Sequence, residues 1–206
     1  MEQEQLNIFD EKYNHIGVAS RKEVHEKGYW HEAFHCWIVS MEDGCPFVYL
    51  QLRSQEKKDY PYLLDITAAG HLLSNETVKD GVREVKEEIG IDVAFQSLLP
   101  LGVLNYSVHR GDFIDKEIAH VFLHLASLRF EDLTLQKEEV AGMVKVELDE
   151  FEALWDDTAE TIQVEGFEID QEGCKRLINE RVGKEKFVPH EVSFYKAVIE
   201  RIKNEW

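Results

Sequence analysis

The chain has 206 residues, 44% of them hydrophobic, enough to bury a core as one large domain or one with a small appendage. Its formal net charge of −18, from 41 acidic and 23 basic residues, argues against a nucleic-acid-binding surface. An anionic substrate must therefore meet a local positive centre, which a bound metal can provide. The acidic opening, MEQEQLNIFDEK, has no apolar stretch of the kind a secretory signal needs, and no run approaches a membrane span. Cys36, Cys45 and Cys174 are odd in number and form no CxxC, so they read as reduced thiols of a cytoplasmic protein.

In chain order, residues 6–9 and 13–20 predict a short hairpin around Asp10-Glu11-Lys12, with Gly17 marking a bulge. Residues 21–28 are charged and end in Gly28, which predicts a short helix. Along 31–40, Ala33, His35 and Trp37 alternate with Phe34, Cys36 and Ile38, the pattern of a strand facing two environments. Glu42-Asp43-Gly44 signals a turn into a paired strand at 47–53. A charged loop over 55–61 carries Lys57 and Lys58, and the apolar run 63–69 reads as a buried strand.

The stretch 70–91, GHLLSNETVKDGVREVKEEIGI, is the chemical centre of the sequence. It reads as a loop and then a helix, with Thr77 as a cap and Gly90 as the stop. On a helix, Glu84, Glu87 and Glu88 stand at i, i+3 and i+4, so three carboxylates share one face. Such a face is either a solvated acidic surface beside Lys86 or a cation site. Hard oxygen donors in that number suit Mg²⁺ or Mn²⁺, and those ions suit phosphates. The preceding strand and the glycine stop favour the second reading.

Beyond the helix, 93–109 predicts a strand bent at Pro100 and Gly102, 109–112 a loop, 116–125 an apolar strand and 141–148 another. Leu148, Phe151, Leu154 and Trp155 share one face of a helix over 148–155. Residues 156–187 are mixed, with a strand near 161–164 and a short helix near 171–182. A closing helix over 189–206 aligns Val192, Tyr195, Val198 and Ile202, with Pro189 in its first turn. There is no repeat, low-complexity tract or long linker. The order predicts an α+β domain with a mixed sheet between helices.

Gly70, Glu76, Arg83, Glu84, Val85, Glu87, Glu88, Gly90 and Ile91 together resemble the Nudix box. That pattern is Gly, five spacers, Glu, seven spacers, then Arg-Glu-apolar-any-Glu-Glu-any-Gly-apolar. One departure stands out: six residues, 77–82, separate Glu76 from Arg83, which leaves the role of Glu76 open. The resemblance implies an α/β/α sandwich, here one Nudix domain over 1–206 with an N-terminal hairpin and a C-terminal helical extension. It implies Mg²⁺ or Mn²⁺ held by Glu84, Glu87, Glu88 and the Gly70 carbonyl, and a catalytic group of Glu84, Glu87, Glu88 and Arg83, with Arg83 fixing a glutamate rotamer. Members often recruit a further acid from outside the box. Glu117 is the better candidate, and Asp115 reads equally well as strand-edge charge.

His31-Glu32-Ala33-Phe34-His35-Cys36-Trp37 with Ala69-Gly70-His71 also resembles the isopentenyl-diphosphate isomerase branch of the superfamily. That resemblance implies a metal site from His25, His31, His71 and Glu117. The branch needs a cysteine before the Gly-His pair, where this chain has Ala69. It also loses most of the box carboxylates, which this chain keeps. Hydrolysis of a phosphoanhydride is therefore expected over allylic isomerisation. Arg53, Gln51 and His31 are the expected substrate contacts, with Lys57 and Lys58 close in sequence. Trp30, Tyr106 and Phe113 are candidates to line a pocket, and Trp37 to fill the core. The expected activity is metal-dependent cleavage of a small-molecule diphosphate, such as a nucleoside diphosphate linked to another moiety, without nucleic-acid or membrane partners. An isomerase-like enzyme and a non-catalytic diphosphate-binding module are the alternatives. No oligomeric state is legible.

Overall fold

β1 (Gln5–Phe9) and β2 (His15–Ser20) form the expected hairpin, and its register slips after Ile8, which faces Gly17. Ser20 accepts the Glu23 N–H and so caps α1 (Arg21–Lys27), which Gly28 ends in the left-handed region. β3 (Trp30–Glu42) turns into β4 (Cys45–Arg53). The computed structural model describes residues 3–205 apart from Asp112, Gln171 and the side chain of Arg110.

The single strand expected over 63–69 is instead two, β5 (Leu64–Asp65) on β4 and β6 (Ala68–His71) on β3. Thr67 makes the switch of partner possible. Its hydroxyl donates to the Tyr49 carbonyl and accepts the Ile38 N–H at 3.0 Å, replacing ladder bonds with side-chain ones. A 3₁₀ turn, Asp80–Val82, leads into α2 (Arg83–Ile89). Thr77 does not cap this helix: its N–H and hydroxyl both donate to the Asp80 carboxylate, at 2.8 and 2.7 Å. Gly90 does end it, at φ 79°.

β7 (Leu99–Arg110) bends where its register slips between Pro100 and Gly102. His109 and Arg110 extend this strand rather than opening a loop, and Asp112 lies outside the described residues. β8 (Phe113–Leu125), β9 (Val140–Glu147) and α3 (Leu148–Trp155) follow as expected. The helix expected near 171–182 is a strand. β10 (Ile162–Ile169) pairs antiparallel with β11 (Lys175–Val182), and Gln171 lies outside the described residues. The Asp170 carboxylate closes the intervening turn by accepting the Glu172 and Cys174 N–H groups. β11 ends the sheet with Lys175, Arg176 and Leu177 exposed, so charged residues of good helix propensity serve as a protected edge. α4 (Val192–Lys203) begins after Pro189; Phe194, not the exposed Val192, joins Tyr195, Val198 and Ile202 in the core, and Trp206 lies outside the described residues.

The sheet runs β11-β10-β9-β4-β3-β1-β2, with β8 joining β3 in parallel and β7 flanking β8. It is mixed, as expected, and its two faces bury separate cores. Trp37 and Val39 pack with Phe151, Trp155 and Tyr195 on the α3 and α4 side. Phe34, Cys36 and Ile38 pack with Val85 and Ile89 on the α2 side. The alternation along β3 thus becomes the two interfaces of an α/β/α sandwich. Among the described residues, no helix is long and apolar enough to cross a membrane.

Candidate active site

Gly70 lets α2 press against β6, because a Cβ there would stand 2.2 Å from the Glu84 carboxyl carbon. Beside it, one guanidinium gathers three acids. Arg83 Nε and Nη2 donate to the two oxygens of Glu76 at 2.5 and 2.9 Å, a bidentate pair. Its Nη1 donates to Glu84 at 2.6 Å and to Glu87 at 2.9 Å. The short box therefore still delivers Glu76 to Arg83, since the tight 3₁₀ turn absorbs the missing residue. Glu76 also accepts the Leu73 N–H at 2.8 Å, which ties down the loop.

Glu88 is 4% exposed and accepts the Ala69 N–H at 3.0 Å and the Gln51 amide at 3.2 Å. Burial, reinforced by Glu84, pushes its carboxyl up to about 8. Burial likewise lifts Glu84 to about 7, although Arg83 opposes it. Hydrogen bonds from Arg83 hold Glu76 below the usual range. Two buried carboxyls on one helical face thus lack enough positive charge to ionise comfortably.

A second group lies alongside. His25 from α1, His31 from β3, His71 from β6 and Asp115 from β8 bring one ligating atom each within 4.8 Å of one another. His25 Nε2 and His31 Nε2 lie 3.5 and 3.4 Å from Asp115 Oδ1, yet all three atoms are buried without a hydrogen bond. His31 Nδ1 stands 3.1 Å from the Tyr29 carbonyl, which only a protonated Nδ1 can satisfy, so a neutral ring offers Nε2 as a lone pair. Burial drives the His71 imidazole down to about 3, which keeps it neutral. Glu117 stands next to this group. Burial would raise it, but His35 Nε2 at 2.9 Å and the more distant His71 hold it well below the usual range, and Tyr106 donates to it at 2.7 Å.

Both groups face one cavity of about 550 Å³. Glu84, Glu87, Glu88, Gly70, His71, Glu117 and Arg53 line it as the sequence leads one to expect, with Tyr106 and Phe113. Two expected substrate contacts do not. Gln51 is buried behind Glu88, and His31 is fully buried within the imidazole group. Arg53 is on the wall, but Nε and Nη2 hold the Asp59 carbonyl and Nη1 holds Asp65 at 2.8 Å. Lys57 pairs with Glu139. Trp30 is turned to Glu11 instead, and Trp37 is core as expected. No cysteine lines the cavity, and burial pushes the Cys36 thiol up to about 12. Asp65, Glu139 and His190 are also part of the wall, and no spacing in the sequence marked them.

The NUDIX domain family model matches residues 29–164. An uncharacterized Nudix hydrolase of Clostridium acetobutylicum is 41% identical over 206 residues, covering 100% of both chains. Nudix hydrolase 3 of Arabidopsis thaliana is 32% identical over 158 residues, 73% of this chain and 20% of that one. In fold, the chain is similar to DR0079 of Deinococcus radiodurans, with a TM-score of 0.54 at 17% identity over 71% of this chain and 85% of that one. A MutT/nudix family protein of Enterococcus faecalis also gives 0.54, at 13% identity over 84% and 62%. With the family matched over most of its length and a full-length relative at 41% identity, the chain belongs to the Nudix hydrolase family.

Proposed function

We propose that the protein is a divalent-cation-dependent pyrophosphohydrolase acting on a diphosphate that carries an organic group, such as a nucleoside diphosphate linked to another moiety. The observation that carries this reading is the acidic face of α2 on the cavity wall, where Arg83 alone meets Glu84 and Glu87 and the buried Glu88 has no cationic hydrogen-bond partner among the described residues. That donor set fits Mg²⁺ or Mn²⁺, with Glu84, Glu87, Glu88 and the Gly70 carbonyl as ligands. The unpartnered nitrogens of His25 and His31 fit a second cation with His71 and Asp115, and imidazole donors favour Mn²⁺ over Mg²⁺ there. Glu117 belongs beside this second group.

A bound divalent cation supplies charge neutralisation at the phosphates and a more acidic water. The protein supplies the rest. Arg83 fixes the rotamers of Glu84 and Glu87, and Gln51 with the Ala69 N–H fixes Glu88. Water adds to one phosphorus, the bridging P–O bond breaks, and the released proton needs an acceptor. Glu117, kept anionic by its partners, is our candidate for that acceptor. Carbon-acid chemistry is no part of the proposal, because position 69 is a methyl group and no thiol lines the cavity. The intact Glu76–Arg83 pair favours turnover over a binding-only module, because the short box still completes its ion pair. We read 1–206 as one domain, supported by the pairing of β1 with β3 and of residues 187–188 with β5, and a reducing, cytoplasmic setting, supported by the exposed Cys45 and Cys174.

The test is a panel of nucleotide-derived and prenyl diphosphates supplied with Mg²⁺ or Mn²⁺, with wild type beside Glu88→Gln. We expect phosphate products from at least one compound and a fall of roughly 100-fold or more in the variant. A panel left intact, or an unaltered variant rate, overturns the proposal.

A further inference from the structure

We propose that His190, far outside the matched residues 29–164, is a positioning residue that fixes Arg53 as a diphosphate contact through Asp65. The proposal rests on the reading above only in assuming that the cavity takes a diphosphate.

The segment carrying His190 is anchored at the cavity. The Val188 N–H donates to the Leu64 carbonyl at 2.9 Å, Phe187 bridges Leu64, and the Tyr195 hydroxyl donates to the Val188 carbonyl at 2.7 Å. These contacts bring His190 to β5, where its Nε2 meets Asp65 Oδ1 at 3.0 Å. Asp65 Oδ2 accepts Arg53 Nη1 at 2.8 Å. An ionised carboxylate only accepts, so Nε2 carries the hydrogen. The result is a chain of charge-assisted bonds from His190 through Asp65 to Arg53. Arg53 spends three of its five N–H groups on Asp59 and Asp65, which leaves one on each terminal nitrogen for a phosphate oxygen.

The surroundings say why a histidine is there. Its ring packs against Tyr106, Phe194 and Tyr195, with centroids 4.9, 5.1 and 5.6 Å away. Its other nitrogen, Nδ1, is buried without a partner. As filler among those rings, phenylalanine would serve with no orphaned nitrogen. What the imidazole alone adds is the bond to Asp65. Without it, Asp65 Oδ1 is left with the Ile66 N–H at 2.9 Å, and the carboxylate that orients Arg53 Nη1 is held less firmly.

The experiment uses the full chain with Mg²⁺ and methylenediphosphonate, a non-hydrolysable diphosphate, read by calorimetry. His190→Phe keeps the packing and removes the bond, while His190→Gln keeps an Nε2 donor. We expect binding to weaken five- to twenty-fold in His190→Phe and to return within about twofold of wild type in His190→Gln. In an Arg53→Ala background, His190→Phe should add less than about twofold, since the effect runs through Arg53. Melting temperatures within a few degrees confirm that the fold persists. Wild-type affinity in His190→Phe, or an undiminished effect without Arg53, overturns the assignment. Because the probe is not turned over, failure of the hydrolase reading shows separately, as an intact substrate panel beside a bound probe.

Discussion

Replacing Glu88 with glutamine should make the metal-free protein more stable at neutral pH while abolishing its activity. Glu88 is 4% exposed, and burial moves its carboxyl from 4.5 to about 8. A carboxyl raised in the folded state stabilises the fold below about pH 4.5 and loses that contribution as pH rises towards about 8. Full ionisation costs about 5 kcal/mol at 1.36 kcal/mol per unit. Between about pH 5 and pH 7.5 the loss is about 3 kcal/mol, an upper figure because buried sites relax. For a chain of this size that is about 6–12 °C in melting temperature. Glutamine cannot ionise, and its amide oxygen still accepts the Ala69 N–H and the Gln51 amide. Thermal unfolding in EDTA from pH 5 to 8 should therefore show a falling midpoint for wild type and a flatter one for Glu88→Gln. Saturating Mn²⁺ should restore wild type, because it binds the ionised form. Parallel pH profiles for the two proteins in EDTA would refute the reasoning.

Three further outcomes follow from the same geometry. Gly70→Ala should displace only the end of the Glu84 side chain, so activity should fall about 100-fold with little change in melting temperature; equal losses of both would point to a misfolded loop instead. Glu76→Ala removes both bonds of the bidentate pair with Arg83, and steady-state kinetics should show kcat down about tenfold or more. Unchanged kcat would mean that Glu84 and Glu87 hold Arg83 unaided. Incubation with isopentenyl diphosphate in deuterated buffer should give no carbon-bound deuterium by mass spectrometry, since Ala69 has no proton to exchange.

What the sequence disclosed and what it hid divide by range. The acidic face was legible because i, i+3 and i+4 spacing is a local property of one helix. The role of Glu76 was not, because counting residues assumes a uniform helical rise, and a 3₁₀ turn completes a turn and covers more length with fewer residues. Asp115 was undervalued, although alternation along β8 puts it on the same side as Glu117, which is where the imidazoles gather. The expected substrate contacts Gln51 and His31 do not line the cavity, for another reason. Each faces the cavity layer, but each is one shell deeper, behind Glu88 or among imidazoles, and strand periodicity gives a face without a depth. β11 was misread because its local composition suits a helix, and only pairing with β10 decides otherwise. The tie between Asp65 and His190 spans 125 positions, beyond any local pattern.

The charge balance leads to a last prediction. In a chain of net charge −18, the cavity gathers Arg21, Arg53, Lys57 and Arg83, which resembles a ready-made anion site. Each of these cations already faces an acid. Arg21 lies 3.6 Å from Glu4, Arg53 holds Asp65, Lys57 holds Glu139, and Arg83 holds Glu76, Glu84 and Glu87. The wall's own acids outnumber its bases, so the side chains alone repel a diphosphate. On the proposed reading, attraction comes from a bound cation held by the carboxyls of α2. Methylenediphosphonate should therefore bind at least about 100-fold more weakly in EDTA than in Mg²⁺, a coupling of about 3 kcal/mol. By reciprocity, the diphosphate should tighten Mg²⁺ binding by the same factor. Equal affinity with and without the cation would show that the basic side chains suffice, and the acidic face would lose its assigned purpose.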